Sequence, residues 1–231
     1  MIDNSSAYRM EDGVPLVVPQ VNPGSIEDHH RLIANPNCST IQLVMALAPL
    51  LRLSPAEWVS VSTYQSVSGA GGKGIEALLQ QEKDGPRPGG FHRNVICEIG
   101  EPDGGGYTPE EMKLVHETSK ILGGGSPAIF PSCARVPVAV GHTESVTVKF
   151  TGPVTAAEAA GALSAFPGVT TSVLGREPLT AAGTDETFVG RIRNHPTDPT
   201  VLQFWVTADN VRKGAALNAV QILELLAARR T

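Results

Sequence analysis

The stretch Ala34-Asn35-Pro36-Asn37-Cys38-Ser39-Thr40 constrains this chain most, because it must be a loop and yet leads at once into an apolar run. Residues before proline avoid the α region, so the approach is extended. Ile41 to Leu51 is apolar and rich in good helix formers, which reads as a buried helix. Asn37 is a natural N-cap, so Cys38 falls on the first helical turn. A thiol there meets unpaired backbone N–H groups and the partial positive charge of the helix end. Both favour thiolate, the nucleophilic form. The alternative is a small buried cysteine that merely sits at a helix start.

Of 231 residues, 41% are hydrophobic, so a sizeable core can form. With 24 Gly, 18 Pro and only 18% charged residues, the chain reads as loop-rich α/β or α+β rather than coiled coil or disordered. The net charge of −5 without a basic cluster argues against a nucleic-acid partner. No apolar run approaches the roughly 18 residues of a membrane span. Met1-Ile2-Asp3-Asn4-Ser5-Ser6 has neither the charged nor the apolar region of a signal peptide. The three cysteines, Cys38, Cys97 and Cys133, are too few and scattered for a disulfide framework or a zinc site, so no metal is expected. A reducing cytoplasm fits best.

Taken in order, the chain predicts a ragged extended start at Ile2, a short strand over Val14–Pro19, a polar turn or short helix over Gly24–Arg31, and a strand at Leu32–Ala34. An extended start with no preceding element suggests that something upstream is missing. Alternation marks strands at Ala56–Gln65, Asn94–Ile99, Ala128–Pro131, Arg135–Val140, Glu144–Phe150, Val169–Leu174, Val189–Arg193 and Val201–Thr207. Helices are expected at Ile75–Lys83, behind Thr108-Pro109-Glu110-Glu111 as far as about Leu122, at Thr155–Phe166 with a Thr155/Glu158 capping box, and at Val211–Arg230. The fold class is α+β: a mixed or largely antiparallel sheet covered on one face by helices.

A nucleophilic Cys needs a base and donors for a developing negative charge. Of the six His, His142 ends an apolar strand at a Gly-His turn, where a side chain can enter a cleft; a solvent or structural role is the alternative. His29, His30, His92, His116 and His195 read as surface residues. Arg135 opens the same predicted strand. Its spacing from His142 puts the two on opposite sides unless Pro137 or Gly141 bends the chain. Gln65 ends a strand before a glycine-rich loop. Ser68-Gly69-Ala70-Gly71-Gly72 could admit a phosphate or a flat ring, or be a plain turn; it lacks the Rossmann spacing. Glu110 and Lys113 share a helix face, as a site pair or as an exposed salt bridge. Arg9 could bind an anion or cap a strand edge.

Together these segments resemble aspartate-semialdehyde dehydrogenase. They are Ile2–Met10, Val17–Asn22, Asn35–Thr40, Tyr64–Gly71, Glu110–Leu122, Arg135–His142 and Asp209–Ala216, in the family's order over nearly the whole chain. The resemblance implies a glyceraldehyde-3-phosphate-dehydrogenase-like catalytic domain over residues 36–208. Residues 1–35 would be a remnant of the NADP-binding Rossmann domain, and residues 209–231 a C-terminal helix packing on that domain. It implies NADP-dependent interconversion of aspartyl phosphate and aspartate semialdehyde through a thioester on Cys38, a step in lysine, threonine and methionine biosynthesis. His142 would be the acid/base, and Gln65 would orient the thioester. Arg135 would hold the substrate carboxylate and Glu110 its amino group. Arg9 and Lys113 would bind phosphate, and Asn37 would sit beside the substrate. Ser68, Gly69 and Asn210 would line the nicotinamide side, and a homodimer is implied. The family's glycine loop for the pyrophosphate is absent from this chain. The polypeptide is therefore expected to be truncated, or completed by a separate chain, and to turn over weakly or not at all. Two alternatives are a related acyl-phosphate reductase, such as N-acetyl-glutamyl-phosphate reductase, and a non-catalytic dimerisation fragment.

Overall fold

The computed structural model describes residues 1–28 and 31–229. His29 and His30, and the Arg230 end of the expected last helix, lie outside the described residues. The chain opens with β1 (Ile2–Asp3), a 3₁₀ turn at Pro23–Asp28 and β2 (Ile33–Ala34), followed by α1 (Cys38–Leu51) and β3 (Ala56–Gln65). A short 3₁₀ turn at Val67–Ala70 leads into α2 (Gly72–Asp84) and α3 (Pro109–Leu122). Then come β4 (Ala128–Arg135), β5 (His142–Phe150), α4 (Ala156–Ser164), β6 (Val169–Ser172), α5 (Pro178–Ala181), β7 (Thr187–Asn194) and β8 (Val201–Ala208). A π-helical turn at Arg212–Ala216 runs into α6 (Leu217–Ala228).

Six strands form one mixed sheet in the order β4-β3-β5-β8-β7-β6. β3 pairs parallel with β4 and antiparallel with β5, while β5 and β7 flank β8 antiparallel. The pleat sorts β5 cleanly: His142, Glu144, Val146, Val148 and Phe150 are buried, and the residues between them are not. The buried face lies under α1, which packs on α3, α4 and the central strands. From Ser39 to Leu50 every residue of α1 is buried, which is why the sequence shows an apolar run there rather than one stripe. On the other face Trp58 meets Phe130 edge-on, and Tyr64 stacks on Trp205. Beside the main core, Val17, Ile26, Ile33 and Ile222 form a small cluster that joins α6 to the β1–β2 segment.

Several expectations are corrected. Val14–Pro19 is reduced to one bridge, Leu16 to Ala34, because its prolines offer no N–H for a ladder. Asn94–Ile99 is likewise a single bridge, Ile96 to Arg135. The strand expected at Arg135–Val140 ends at Arg135, the last residue of β4. Beyond it, Val138 and Ala139 carbonyls accept from Val67 and Ser68 N–H, so residues 136–140 strap the turn after β3 instead of extending the sheet. β4 runs through Pro131, which an edge strand tolerates. α2 begins at Gly72 rather than Ile75, and α4 stops at Ser164 rather than Phe166. The last helix starts as a π turn, and the short α5 was not anticipated. The expected capping box at Thr155/Glu158 is formed, and the Thr108 cap proves to be a second one, with Glu111.

Candidate active site

α1 starts where its sequence requires. Asn37 is extended, and its Oδ1 accepts from Ser39 and Thr40 N–H at 3.0 and 3.3 Å. Cys38 thus occupies the first turn, facing a cavity of about 340 Å³ that is also lined by Arg9, Asn37, Ser68, Gly69, Glu110, Lys113 and Asn210. Behind it, Gly214 rests on the cysteine: a Cβ there would lie 2.8 Å from Cys38 Cβ.

Two basic groups and one carboxylate converge on this space. Lys113 Nζ donates to Glu110 Oε2 at 2.8 Å, and Glu110 is 6% exposed, so this is no solvent-facing salt bridge. Asn37 Nδ2 and Gln65 Nε2 both donate to Glu110 Oε1, at 3.0 and 3.1 Å. Burial pushes the Glu110 carboxyl up, but Lys113 and these hydrogen bonds outweigh it and hold the group below the usual range. Arg9 donates from Nε to Asn35 O, from Nη1 to Glu117 Oε1 and from Nη2 to Asn4 O. Three of its five N–H groups are thereby used, leaving one on each terminal nitrogen.

The strand ends supply the rest. Gln65 closes β3 beside its register partner Arg135, whose Nη1 donates to Gln65 Oε1 and Ser66 O. His142 opens β5 on the other side of β3, so the sheet itself, not a bend within one strand, brings Arg135 and His142 to one end. His142 is fully buried, and its Nδ1 accepts from Ser66 N–H at 3.0 Å. That bond assigns the proton to Nε2, which has no hydrogen-bond partner among the described residues. Burial and the Arg135 charge push His142 down to about 3, so it stays neutral. Asn210 ties the corner together, its Oδ1 accepting from Gly141 N–H and from the Ser66 and Ser68 hydroxyls. Gly69 lies directly over the pair: a Cβ on it would overlap Arg135 Nη1 and come within 3.1 Å of His142 Nε2.

One expectation about charge is overturned. Cys38 is not made acidic by its helix in this state. Burial, followed by the Glu110 charge, pushes its thiol up to about 12; the Ser39 N–H, Arg135 and Arg9 pull the other way and lose. Most predicted polar residues otherwise join one hydrogen-bonded network, from Lys113 through Glu110, Gln65 and Arg135 to Ser66, His142 and Asn210. Gln65, Arg135 and His142 do not line the cavity that Cys38 faces, and Gly69 lies between it and the last two. The sequence reading missed three members of the surroundings. Glu117, 2% exposed, accepts from both Arg9 and Asn37. Glu144 is fully buried opposite Gln42, and burial raises its carboxyl well above the ordinary value. Lys213, buried in the π turn, donates to Gln20, Asn218 and Gln221 oxygens. Only the Glu110–Lys113–Glu117 helix spacing could have flagged one of them. Among the described residues no cluster could hold a metal ion, and no helix is long and apolar enough to cross a membrane.

A family model described as semialdehyde dehydrogenase, dimerisation domain, matches residues 47–213. A second, described as semialdehyde dehydrogenase, NAD binding domain, matches residues 1–29. The chain is 43% identical over 243 residues to the aspartate-semialdehyde dehydrogenase of Prochlorococcus marinus, covering 99% of this chain and 71% of that protein. It is similar to the crystal structure of aspartate semialdehyde dehydrogenase II complexed with ASA from Vibrio cholerae, with TM-score 0.93 and 41% identity over 98% of this chain and 72% of that one. It also matches aspartate semialdehyde dehydrogenase with NADP from Candida albicans, with TM-score 0.78 and 25% identity over 99% of this chain and 71% of that one.

Proposed function

Because the chain belongs to the aspartate-semialdehyde dehydrogenase family of oxidoreductases, we propose that its cavity interconverts aspartyl phosphate and aspartate semialdehyde through a thioester on Cys38. The observation that carries this reading is the meeting of Arg9, Lys113 and Glu110 around one half-buried thiol at a helix start. Cys38 Sγ attacks the acyl carbon, the C–O bond to phosphate breaks with its electron pair going to the oxygen, and the phosphate, taking up the thiol proton, leaves between Arg9 and Lys113. The two spare N–H groups of Arg9 and the ammonium of Lys113 are the donors for it. Glu110 takes the substrate ammonium. That pairing cancels the negative charge that helps to keep the thiol protonated, so substrate binding itself readies the nucleophile. Arg135 takes the substrate carboxylate with its remaining N–H groups. Gln65, held between Arg135 and Glu110, orients the thioester. His142 is the acid–base group and starts as a donor through Nε2–H. A free ammonium opposite Glu110 favours aspartyl phosphate over an N-acetylated acyl phosphate.

NADP is the cofactor in this reading; bound in its reduced form, it would supply the hydride for reduction of the thioester. Its nicotinamide end fits, because Ser68, Gly69 and Asn210 line the cavity with Cys38 and Gly69 presents bare backbone there. Residues 1–29, which match the NAD-binding family model, carry no glycine pattern for a diphosphate of their own. Residues 1–35 and 209–231 would form the cofactor side and 36–208 the catalytic and dimerising unit, a division that the separate apolar cluster joining α6 to β1–β2 supports. A homodimer through the open sheet face agrees with the dimerisation-domain match.

The test needs no cofactor. Incubated with aspartyl phosphate, the protein should gain one hydroxylamine-labile aspartyl group on Cys38 by mass spectrometry, and Cys38→Ser should gain none. Equal labelling of wild type and Cys38→Ser, or of aspartyl and N-acetyl-glutamyl phosphate, would sink the assignment.

A further inference from the structure

The carboxylate of Glu117 has no part in the chemistry above, yet it is buried within the site's wall. Its two oxygens serve two different loops. Oε1 accepts from Arg9 Nη1 at 3.0 Å, and Oε2 accepts from Asn37 N–H at 2.6 Å. Arg9 belongs to the loop after β1. Asn37 caps the helix that carries Cys38. Arg9 and Asn37 share no direct hydrogen bond among the described residues; beyond the Arg9 Nε bond to Asn35 O, it is this carboxylate that links the guanidinium to the cap of α1.

We propose that Glu117 is a positioning residue that holds the phosphate-binding arginine and the nucleophile's helix cap in fixed relation, so that an anion bound at Arg9 lies over Cys38. The inference rests on the reading of Arg9 as a phosphate ligand. With Nε on Asn35 O and Nη2 on Asn4 O, the third tie, to Glu117, fixes the rotation of the guanidinium about its own plane. The two spare N–H groups then point in one direction only. A glutamine cannot replace the carboxylate: it has one acceptor oxygen, and its NH₂ would face a donor. Lys120, one helical turn further on, separately holds the Arg9 loop through the Arg9 and Glu11 carbonyls at 2.8 and 2.9 Å. Loss of the Glu117 carboxylate therefore should disorient the guanidinium without releasing the loop.

Charge and position make opposite forecasts, which allows a test. Removing a negative group beside Arg9 would tighten anion binding if Glu117 acted by its charge. If it acts by position, binding weakens. The probe is inorganic phosphate, read by its protection of Cys38 from iodoacetamide in a Cys97→Ser background, with Cys38 followed by peptide mass mapping. Glu117→Gln is expected to raise the half-protecting phosphate concentration about tenfold. Arg9→Met is expected to raise it at least as much, and the double variant should be no worse than Arg9→Met alone, because Glu117 acts through Arg9. Glu117→Asp, which reaches one donor but not both, serves as the second variant should the glutamine fail to fold, and should shift in the same direction. Unchanged or tighter protection in Glu117→Gln, or in Glu117→Asp where that stands in, overturns the inference, as does a full additional loss in the double variant. If Arg9→Met itself leaves protection unchanged, the phosphate assignment of Arg9 fails and takes this inference with it.

Discussion

The reactive sulfur is governed by burial rather than by its helix. With its thiol pushed up to about 12, the thiolate fraction of Cys38 should climb about tenfold per pH unit across the alkaline range. The expected result is an iodoacetamide rate on Cys38 that is still rising at pH 10; a plateau by pH 8 would restore the helix-end picture. Gly69 is the other decisive position. Gly69→Ala places a methyl on Arg135 and His142 and should cost about 1–3 kcal/mol by overpacking, read from the urea midpoint. It should also abolish aspartyl labelling of Cys38. The site's polar residues were legible where a local signal marked them: a cysteine after an Asn cap, a histidine at a Gly turn, an arginine at a strand end. Glu117 and Glu144 were not. In sequence one is an ordinary helix acid and the other an ordinary strand polar residue, and burial against distant elements is what sets them apart.

Helix starts with a side-chain cap were the most legible elements, because capping is settled within four residues; uncapped α2 began three residues early. Asn37, Thr108 and Thr155 all cap as their sequences require. The two kinds of cap should nonetheless respond differently. Thr108→Ala removes a capping bond at the edge of the site and should cost about 1 kcal/mol in urea unfolding. Asn37→Ala removes a cap and also the Nδ2 donor to Glu110, so it should cost more and also slow aspartyl labelling. Equal losses in both measurements would mean that the Asn37–Glu110 bond carries nothing. The least legible element was the strap after Arg135. Val136 to Val140 has the composition of a strand, but its hydrogen bonds go to the turn at Val67 and Ser68, a partner some seventy residues away. Propensity reports on neighbours, and this segment's conformation is set by a remote one.

At the scale of the molecule, the class of the sheet was readable and its order was not. Alternation announces half-buried strands, but nothing local says that β3 lies between β4 and β5. That order is what puts Arg135 and His142 on either side of Gln65. The open face carries Phe130, 55% exposed, and the Tyr64–Trp205 stack. Phe130→Glu should convert a dimer to a monomer in light scattering; an unchanged mass would move the interface elsewhere. Buried Glu144 makes a pH forecast for the whole fold. Its folded value lies well above the ordinary 4.5, so between the two the native state keeps a proton that the unfolded chain releases. Stability from this group is present at low pH and lost as pH rises. Glu144→Gln should flatten that loss above pH 4.5 in urea midpoints.

Gly214 against Cys38, Asn210 on Ser66 and Ser68, and Asn218 on Asn35 together set an order in time. A ribosome making this chain delivers the sulfur well before its backing. Until residues 210–218 have left the exit tunnel, the nascent polypeptide carries its nucleophile without the wall that shapes it, so competence waits on the emergence of that segment.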